Sequence, residues 1–362
     1  MKSKMSTSHE TILYINLNAL ENNFNYLKSV LKSETKVFAV VKAFAYGHGD
    51  IVIAKKLETL GVNGFWVADF EEGMNLRKAG INKKIIIANP GVKSYAEIIK
   101  YNLEPVIYNF RLLKLYGKKG CSIPIHIKFN SGMNRYGFNM NEIKSLTSFL
   151  KKNINLKVHS VCSHLSVVDN KSKDFLTREQ LQNFDSFCKL FSSYMKIEPE
   201  RHILNTSGIL RFPKDQKNIV RMGIGLYGVS NDKNLIPIAK LVSNIAQIRE
   251  IKKGENVGYD ASFKANSDMK IGIIPLGYAD GINRKLGNKQ GSVVIHKIHV
   301  PIIGKISMDS FMVDISDINP KEGDAVTIFG EENSVLDIAN SLKTIPYEIL
   351  ATLNRRIKRI YN

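Results

Sequence analysis

Val37-Phe38-Ala39-Val40-Val41-Lys42-Ala43-Phe44-Ala45-Tyr46-Gly47-His48-Gly49-Asp50 is an apolar run that delivers one lysine to its end and then breaks into glycine. Val37 to Val41 read as a buried parallel strand, apolar on both faces. Gly47, Gly49 and Asp50 mark a turn and a helix N-cap. Lys42 therefore stands at the carboxyl end of a strand, where α/β proteins keep their sites. Two readings compete: a lysine whose pKa falls in a partly apolar pocket, so that it can form a Schiff base, or a solvent-facing lysine that merely ends a strand. Tyr46 and the Gly47-His48-Gly49 turn favour the first, because an aromatic hydroxyl beside an open turn suits a flat phosphorylated cofactor.

Outward from this stretch, short apolar runs alternate with amphipathic helical segments from about Lys36 to Gly228, the pattern of βαβ units. The strand candidates are Val37–Val41, Gly64–Ala68, Ile85–Ala88, Glu104–Tyr108, Ile123–Phe129, Leu156–Cys162, His202–Asn205 and Val220–Gly223, with a long helix expected over Phe175–Met195. Eight strands with their crossovers suit a closed (β/α)8 barrel; a doubly wound open sheet is the alternative that strand count leaves open. After Pro237 the chain turns β-rich, through Leu241–Ile251, Lys270–Leu276, Gly291–Ile303, Phe311–Ile315 and Ala325–Phe329. The expected fold is thus α/β plus β: an N-terminal barrel over 11–237 and a mostly β domain over 238–362. The early segment Thr11–Leu17 could pair with the second. At 362 residues, two domains are the prior.

The net charge of +19 raises nucleic acid, membrane surface or acidic substrates as partners. However, 40 of the 52 basic residues are lysines scattered along helices. The densest cluster, Arg355-Arg356-Ile357-Lys358-Arg359, is short and lacks the aromatic interleaving of a nucleic-acid platform. Cys121, Cys162 and Cys188 are far apart, odd in number and without a Cys-x-x-Cys pair, so neither a disulfide framework nor a zinc site is indicated. Met1 to Glu10 is polar, and no window approaches the ~18 unbroken apolar residues of a membrane span. A cytoplasmic protein with no membrane or nucleic-acid partner is expected.

The unusual polar residues fall at strand ends. The fifth barrel strand ends in Lys128-Phe129-Asn130-Ser131-Gly132-Met133-Asn134-Arg135, the sixth in Ser163-His164, the seventh in Asn205-Thr206-Ser207, and the eighth in Arg221-Met222-Gly223-Ile224-Gly225. Each can be read singly as a cap or turn; together they put a lysine, two arginines, a histidine and a phosphate-sized cradle on one rim. The loops after strands seven and eight often hold phosphate through backbone N–H groups. His159 and His164 differ by an odd number, which strand alternation places on opposite faces, so zinc is not expected between them. In the second domain, Gly258-Tyr259-Asp260, Gly277-Tyr278-Ala279-Asp280-Gly281 and Gly304-Lys305-Ile306-Ser307-Met308-Asp309 are glycine-bounded turns with polar side chains.

These strings, in this order and from Lys42 to Arg359-Ile360-Tyr361, resemble the alanine racemase family over nearly the whole chain. The resemblance implies a pyridoxal 5'-phosphate enzyme that interconverts L- and D-alanine, works as a homodimer and combines one subunit's barrel with the other's β domain. It implies that Lys42 holds the cofactor and is one acid/base, with Tyr259 of the partner subunit the other. Racemisation needs such a pair, one for each face of the α-carbon. Arg221 would contact the pyridine nitrogen, to which an arginine cannot readily give a proton, and His164 would lie near the ring. Arg135 and the Met308 backbone would hold the substrate carboxylate. Tyr46, Thr206, Gly223 and Ile224 would cradle the phosphate, with Thr206 and Ser207 interchangeable by one residue, and Asn205 would also contact the cofactor. Lys128 occupies the position of a carbamylated lysine in many members.

Phe44 stands where the family motif usually has Asn; Asn130, Ser131 and Asn134 stand where Asp, Thr and Gly are common; Arg355 falls where some members place a tyrosine. The function expected is therefore alanine racemisation supplying D-alanine for peptidoglycan. The alternatives are a broader-specificity racemase or a decarboxylase on the same barrel, a non-catalytic pyridoxal-phosphate carrier, and a basic nucleic-acid binder.

Overall fold

The computed structural model describes residues 8–118 and 123–362; Cys121 and most of the polar N-terminal stretch lie outside them. The chain divides into two compact units. One comprises Glu21–Ala45 and Asp50–Leu226; the other comprises the residues up to Leu20, Tyr46–Gly49 and Tyr227–Asn362.

The first unit is the expected barrel. After β1 (Ile12–Ile15), which belongs to the other unit, its strands are β2 (Lys36–Val40), β3 (Gly64–Val67), β4 (Lys84–Ile87), β5 (Glu104–Ile107), β6 (Pro124–Lys128), β7 (Lys157–Cys162), β8 (Glu200–His202) and β9 (Ile219–Met222). They form one parallel sheet in the order β8-β7-β6-β5-β4-β3-β2-β9, so β2 lies between β3 and β9. Phe38 is in register with Gly64 on one side and Arg221 on the other. The two ends of the sheet meet where the Arg221 N–H donates to the Leu204 carbonyl at 3.0 Å, which closes the ring. Helices follow the strands, the longest being Asp174–Met195, which buries Leu181, Phe184, Phe187, Cys188 and Phe191 along one stripe. The strands' outward residues Phe65, Val67, Ile85, Ile87 and Ile127 are fully buried, as a sheet covered by helices requires.

One expectation about β7 fails in its reasoning. A bulge shifts the register between Ile125–Val158 and His126–Ser160, leaving His159 as the extra residue. Parity along the strand is broken there. His159 and His164 are kept apart by position along the barrel: His159 lies near the amino end, beside Lys84 and Glu200, while His164 lies past the carboxyl end beside Arg221.

The second unit contains a nine-stranded sheet. Its strands are β1 together with β10 (Ala239–Asn244), β11 (Gln247–Ile251), β14 (Met269–Ile274), β15 (Ser292–Ile295), β16 (Ile298–Ile303), β17 (Phe311–Asp314), β18 (Ala325–Phe329) and β19 (Lys358–Tyr361), with β12 (Asn256–Val257) and β13 (Phe263–Lys264) forming a separate small hairpin. The run Gly291–Ile303 is a hairpin rather than one strand: His296 and Lys297 take φ of 50° and 66° at its tip. Neither is the Asn-Gly type of signal that marks such turns in sequence. Two arginines of the C-terminal basic cluster are spent on structure. Arg356 pairs with Asp280 and Asp309, and Arg359 donates to the carbonyls of Gly47, Leu353, Asn354 and Ile357. This tail explains the glycines after Tyr46: a Cβ on Gly47 would lie 2.2 Å from the Leu350 oxygen, and one on Gly49 would lie 1.9 Å from the Tyr361 hydroxyl. Among the described residues, no helix is long and apolar enough to cross a membrane.

Candidate active site

β2 hands its direction to Lys42 through an unusual turn. Ala43, Phe44, Ala45 and Tyr46 all take φ between 51° and 56°, a left-handed helical turn built without glycine. Each L-residue held this way costs roughly 1–2 kcal/mol. The turn is pinned by Glu72, whose carboxylate accepts the Ala43 N–H at 2.6 Å and the Ala68 N–H at 2.7 Å. Burial pushes the Glu72 carboxyl up against the pull of those two bonds. No local signal in the sequence links Glu72 to Lys42, thirty positions away, and the sequence reading missed it.

The polar strand ends of the barrel do converge. The Lys42 amine still reaches solvent, but burial first, and then the charges of Arg135 and Arg221, lower its pKa below that of an ordinary lysine, with Glu72 opposing. Lys128, at the end of β6, is driven by burial and by Arg221, Arg135 and Lys42 down to about 8. His164 is held well below the usual imidazole value by burial and by the same four cations, so its ring is neutral at physiological pH. Lys128, Arg135 and His164 line one small cavity with Phe129, Asn130, Met133, Tyr136 and Ser163. Four like charges crowded together repel unless an anion lies among them, so this donor set fits a ligand rich in phosphate and carboxylate oxygens.

Arg221 is fixed on every side. Its guanidinium donates to the carbonyls of Ser163 (2.6 Å), Ile203 (3.1 Å) and His202 (3.3 Å), to His202 Nδ1 at 2.5 Å and to His164 Nδ1 at 3.4 Å, and lies 5.1 Å over the ring of Trp66. Beside it, Asn205 caps the short helix Thr206–Arg211 by accepting the Gly208 N–H. Thr206 Oγ1 accepts the N–H groups of Gly223 (3.0 Å) and Gly225 (3.3 Å). Both lone pairs are thereby used, leaving the hydroxyl only its proton to give. Ser207 donates to Asp169 instead. Ile224 is buried in the following turn.

The loop departures acquire physical reasons. Asn134 takes φ of 56°, a conformation asparagine tolerates nearly as glycine does. Asn130 Oδ1 accepts the N–H groups of Gly132 and Asn134 while its Nδ2 donates to Asn139, a donation aspartate could not make. Ser131 bonds Ser163 at 2.7 Å.

The remaining candidates lie in the β-rich unit. Tyr46 is buried, its ring packed on Tyr227 and Tyr347. Tyr259 is 63% exposed, and Met308 53%. Tyr259 opens a turn in which Asp260 has φ of 57° and pairs with Lys305. Met308 accepts the Ala279 N–H at its carbonyl, beside the Tyr278 turn.

Residues 15–231 match the family model described as alanine racemase, N-terminal domain, and residues 238–361 the model for alanine racemase, C-terminal domain. The chain belongs to the alanine racemase family. It is 35% identical over 359 residues to an alanine racemase of Thermodesulfovibrio yellowstonii, covering 96% of each chain. The fold superposes with a TM-score of 0.91 on the alanine racemase of Clostridium difficile 630, at 30% identity over 99% of this chain and 97% of that one. It also superposes, with a TM-score of 0.90 and 30% identity over 98% of this chain and 100% of that one, on the alanine racemase of Bartonella henselae, solved with covalently bound pyridoxal phosphate.

Proposed function

We propose that this chain interconverts L- and D-alanine with pyridoxal 5'-phosphate held on Lys42. The observation that carries the reading is the gathering of Lys42, Lys128, Arg135 and Arg221 around a neutral His164 at one barrel rim. When bound, the cofactor's ring takes up the negative charge that develops as the α-carbon loses its proton.

The lowered pKa of the Lys42 amine suits Nζ to accept or return the α-proton on one face. Tyr259 Oη serves the opposite face. A phenol has a reference pKa of ~10, so this role needs cations beside the hydroxyl, which the Lys42 cluster would supply. Arg221 orients the ring and, having no proton to release at neutral pH, keeps the ring nitrogen unprotonated. His164 packs by the ring as a neutral group. The Thr206 hydroxyl, the Ile224 backbone, the Asn205 cap and the Tyr46 hydroxyl receive the phosphate, and Gly223, whose N–H is given to Thr206, fixes the direction of that hydroxyl. Arg135 and the Met308 N–H receive the substrate carboxylate. With a pKa near 8, part of the Lys128 population is a free amine at neutral pH, and that amine can add carbon dioxide and release a proton to give a carbamate. The carbamate would place a negative charge between Arg135 and Arg221.

The exposure of Tyr259 and Met308 supports a homodimer in which the 238–362 domain completes the 11–237 barrel of its partner. A cytoplasmic enzyme supplying D-alanine for peptidoglycan follows from this reading. A chiral product assay on purified protein, with L-alanine and a panel of other amino acids, with and without added pyridoxal phosphate, is the test. Appearance of D-alanine is expected; carbon dioxide release without chirality change would replace this reading with a decarboxylase.

A further inference from the structure

The barrel interior holds a polar column that the proposed reaction does not use. The Arg221 guanidinium donates from Nη1 to His202 Nδ1 at 2.5 Å; His202 Nε2 lies 2.9 Å from Ser160 Oγ; Ser160 Oγ lies 2.6 Å from His126 Nδ1; and His126 Nε2 lies 2.9 Å from Glu104 Oε2. All five residues are buried, and His126, Ser160 and His202 are 0% exposed. Aliphatic layers usually fill such an interior. Here Glu104 is the first residue of β5 and Arg221 lies near the end of β9, so the column runs from the amino ends of the strands to the rim that carries the site.

With both imidazoles neutral, the two ends of this column permit only one arrangement of hydrogens. A guanidinium only donates, so His202 Nδ1 must be bare and its proton must sit on Nε2, directed at Ser160. Ser160 then turns its own proton to His126 Nδ1, and His126 directs its Nε2 proton to the carboxylate. Reversing any link sets a donor against a donor, or an acceptor against an acceptor, in the core, where an unsatisfied group is costly. The surrounding charges agree. Burial pushes the Glu104 carboxyl up, but the hydrogen bond from His126 and the nearby Lys84 ammonium help to outweigh it, so it lies below the usual carboxylate value. Burial and Arg221 hold His202 neutral. At the amino end, Lys84 lies 3.8 Å from Glu104 and 3.0 Å from His159 Nε2, and the His159 ring packs edge-on to His126 at 5.4 Å.

We propose that Glu104, His126, Ser160 and His202 are positioning residues that, through this one-directional chain, fix the plane and the charge of Arg221 toward the cofactor ring. Arg221's partner in that statement rests on the proposed function; the direction of the chain does not. Two measurements separate them. Nitrogen NMR of the histidine side chains of the whole protein should show His202 as a neutral Nε2–H tautomer across the neutral range, and His126 carrying a proton on Nε2, whether or not the protein racemises. Ser160→Ala should lose that pattern at His202, shift the visible absorption band of the bound cofactor and lower kcat by about tenfold with KM for L-alanine little changed. Ser160→Thr, which keeps the hydroxyl, should restore all three. An Nδ1–H tautomer or ordinary titration of His202 in the unmodified protein would overturn the proposal, as would a folded Ser160→Ala protein with unchanged tautomers, band and kcat. If Ser160→Ala does not fold, the tautomers of the unmodified protein decide alone. Loss of racemase activity in the unmodified protein, with the tautomers as described, would sink the proposed function and leave the chain direction standing.

Discussion

Lys42 and Tyr259 both stand beside left-handed backbone, yet the chain holds them in opposite ways. After Lys42, four consecutive L-residues are strained, and the strain is met by partners within the same unit: Glu72 takes the Ala43 N–H, and the Ala45 N–H donates to Val41 O at 2.9 Å. After Tyr259, only Asp260 and Ala261 have positive φ, and the turn is exposed, secured at its surface by Asp260 and Lys305. One acid/base candidate is thus pre-set by its own unit; the other sits on a surface that lacks cover. Strain persists where surrounding structure over-determines it, and that condition is met at Lys42 alone.

The largest effect should come from removing Lys42. Lys42→Ala should abolish both racemisation and the yellow absorption of the holoenzyme. Retained colour would place the cofactor elsewhere and end the contrast, since Lys42 would then have nothing to be pre-set for. Next is Tyr259→Ala, expected to cut kcat by about 10²–10⁴ as loss of a general acid/base does, with the absorption band retained. Mixing inactive Lys42→Ala and Tyr259→Ala subunits should regenerate activity; a dead mixture after verified subunit exchange would leave the exposed tyrosine without its proposed partner site.

Much of this was legible in the sequence, for a definable reason. The barrel strands are apolar runs cut by glycine and polar residues, so periodicity marks them, and the rim residues follow because each ends such a run. Phe44 and Ala45 carry no sign of left-handed backbone, because the Glu72 carboxylate and the strand before them impose it from outside. Glu104, His126, Ser160 and His202 were likewise unreadable: each breaks an apolar strand singly, and only the closed barrel lines them up. The β-rich unit was the harder one to divide, since His296-Lys297 turns a hairpin with residues that usually do not.

Glu72→Ala sharpens the comparison within the barrel. Two backbone N–H groups would lose their acceptor, at about 1–3 kcal/mol each, so a lower Tm and a lower kcat should appear together. Glu72→Gln, which offers one acceptor oxygen in place of two, should fall between. A Tm loss with unchanged kcat would mean that the turn's geometry does not govern Lys42.

Lys128 supplies a gentler test, through pH. Its pKa falls from an ordinary 10.5 to about 8 on folding, so between those values the unfolded chain binds more protons than the folded one. Stability of the cofactor-free protein should therefore rise as pH goes from about 8 to 10.5, and below 8 the full penalty of a few kcal/mol applies. Lys128→Met removes the buried cation, so its Tm should exceed that of the unmodified protein near pH 7, and the two should converge as pH rises through that window. If the unmodified protein instead shows no such slope, and native mass spectrometry finds one added carbon dioxide, the amine is already a carbamate in the free enzyme. The cation crowding that distinguishes this rim from the Tyr259 surface would then be partly neutralised before any ligand arrives.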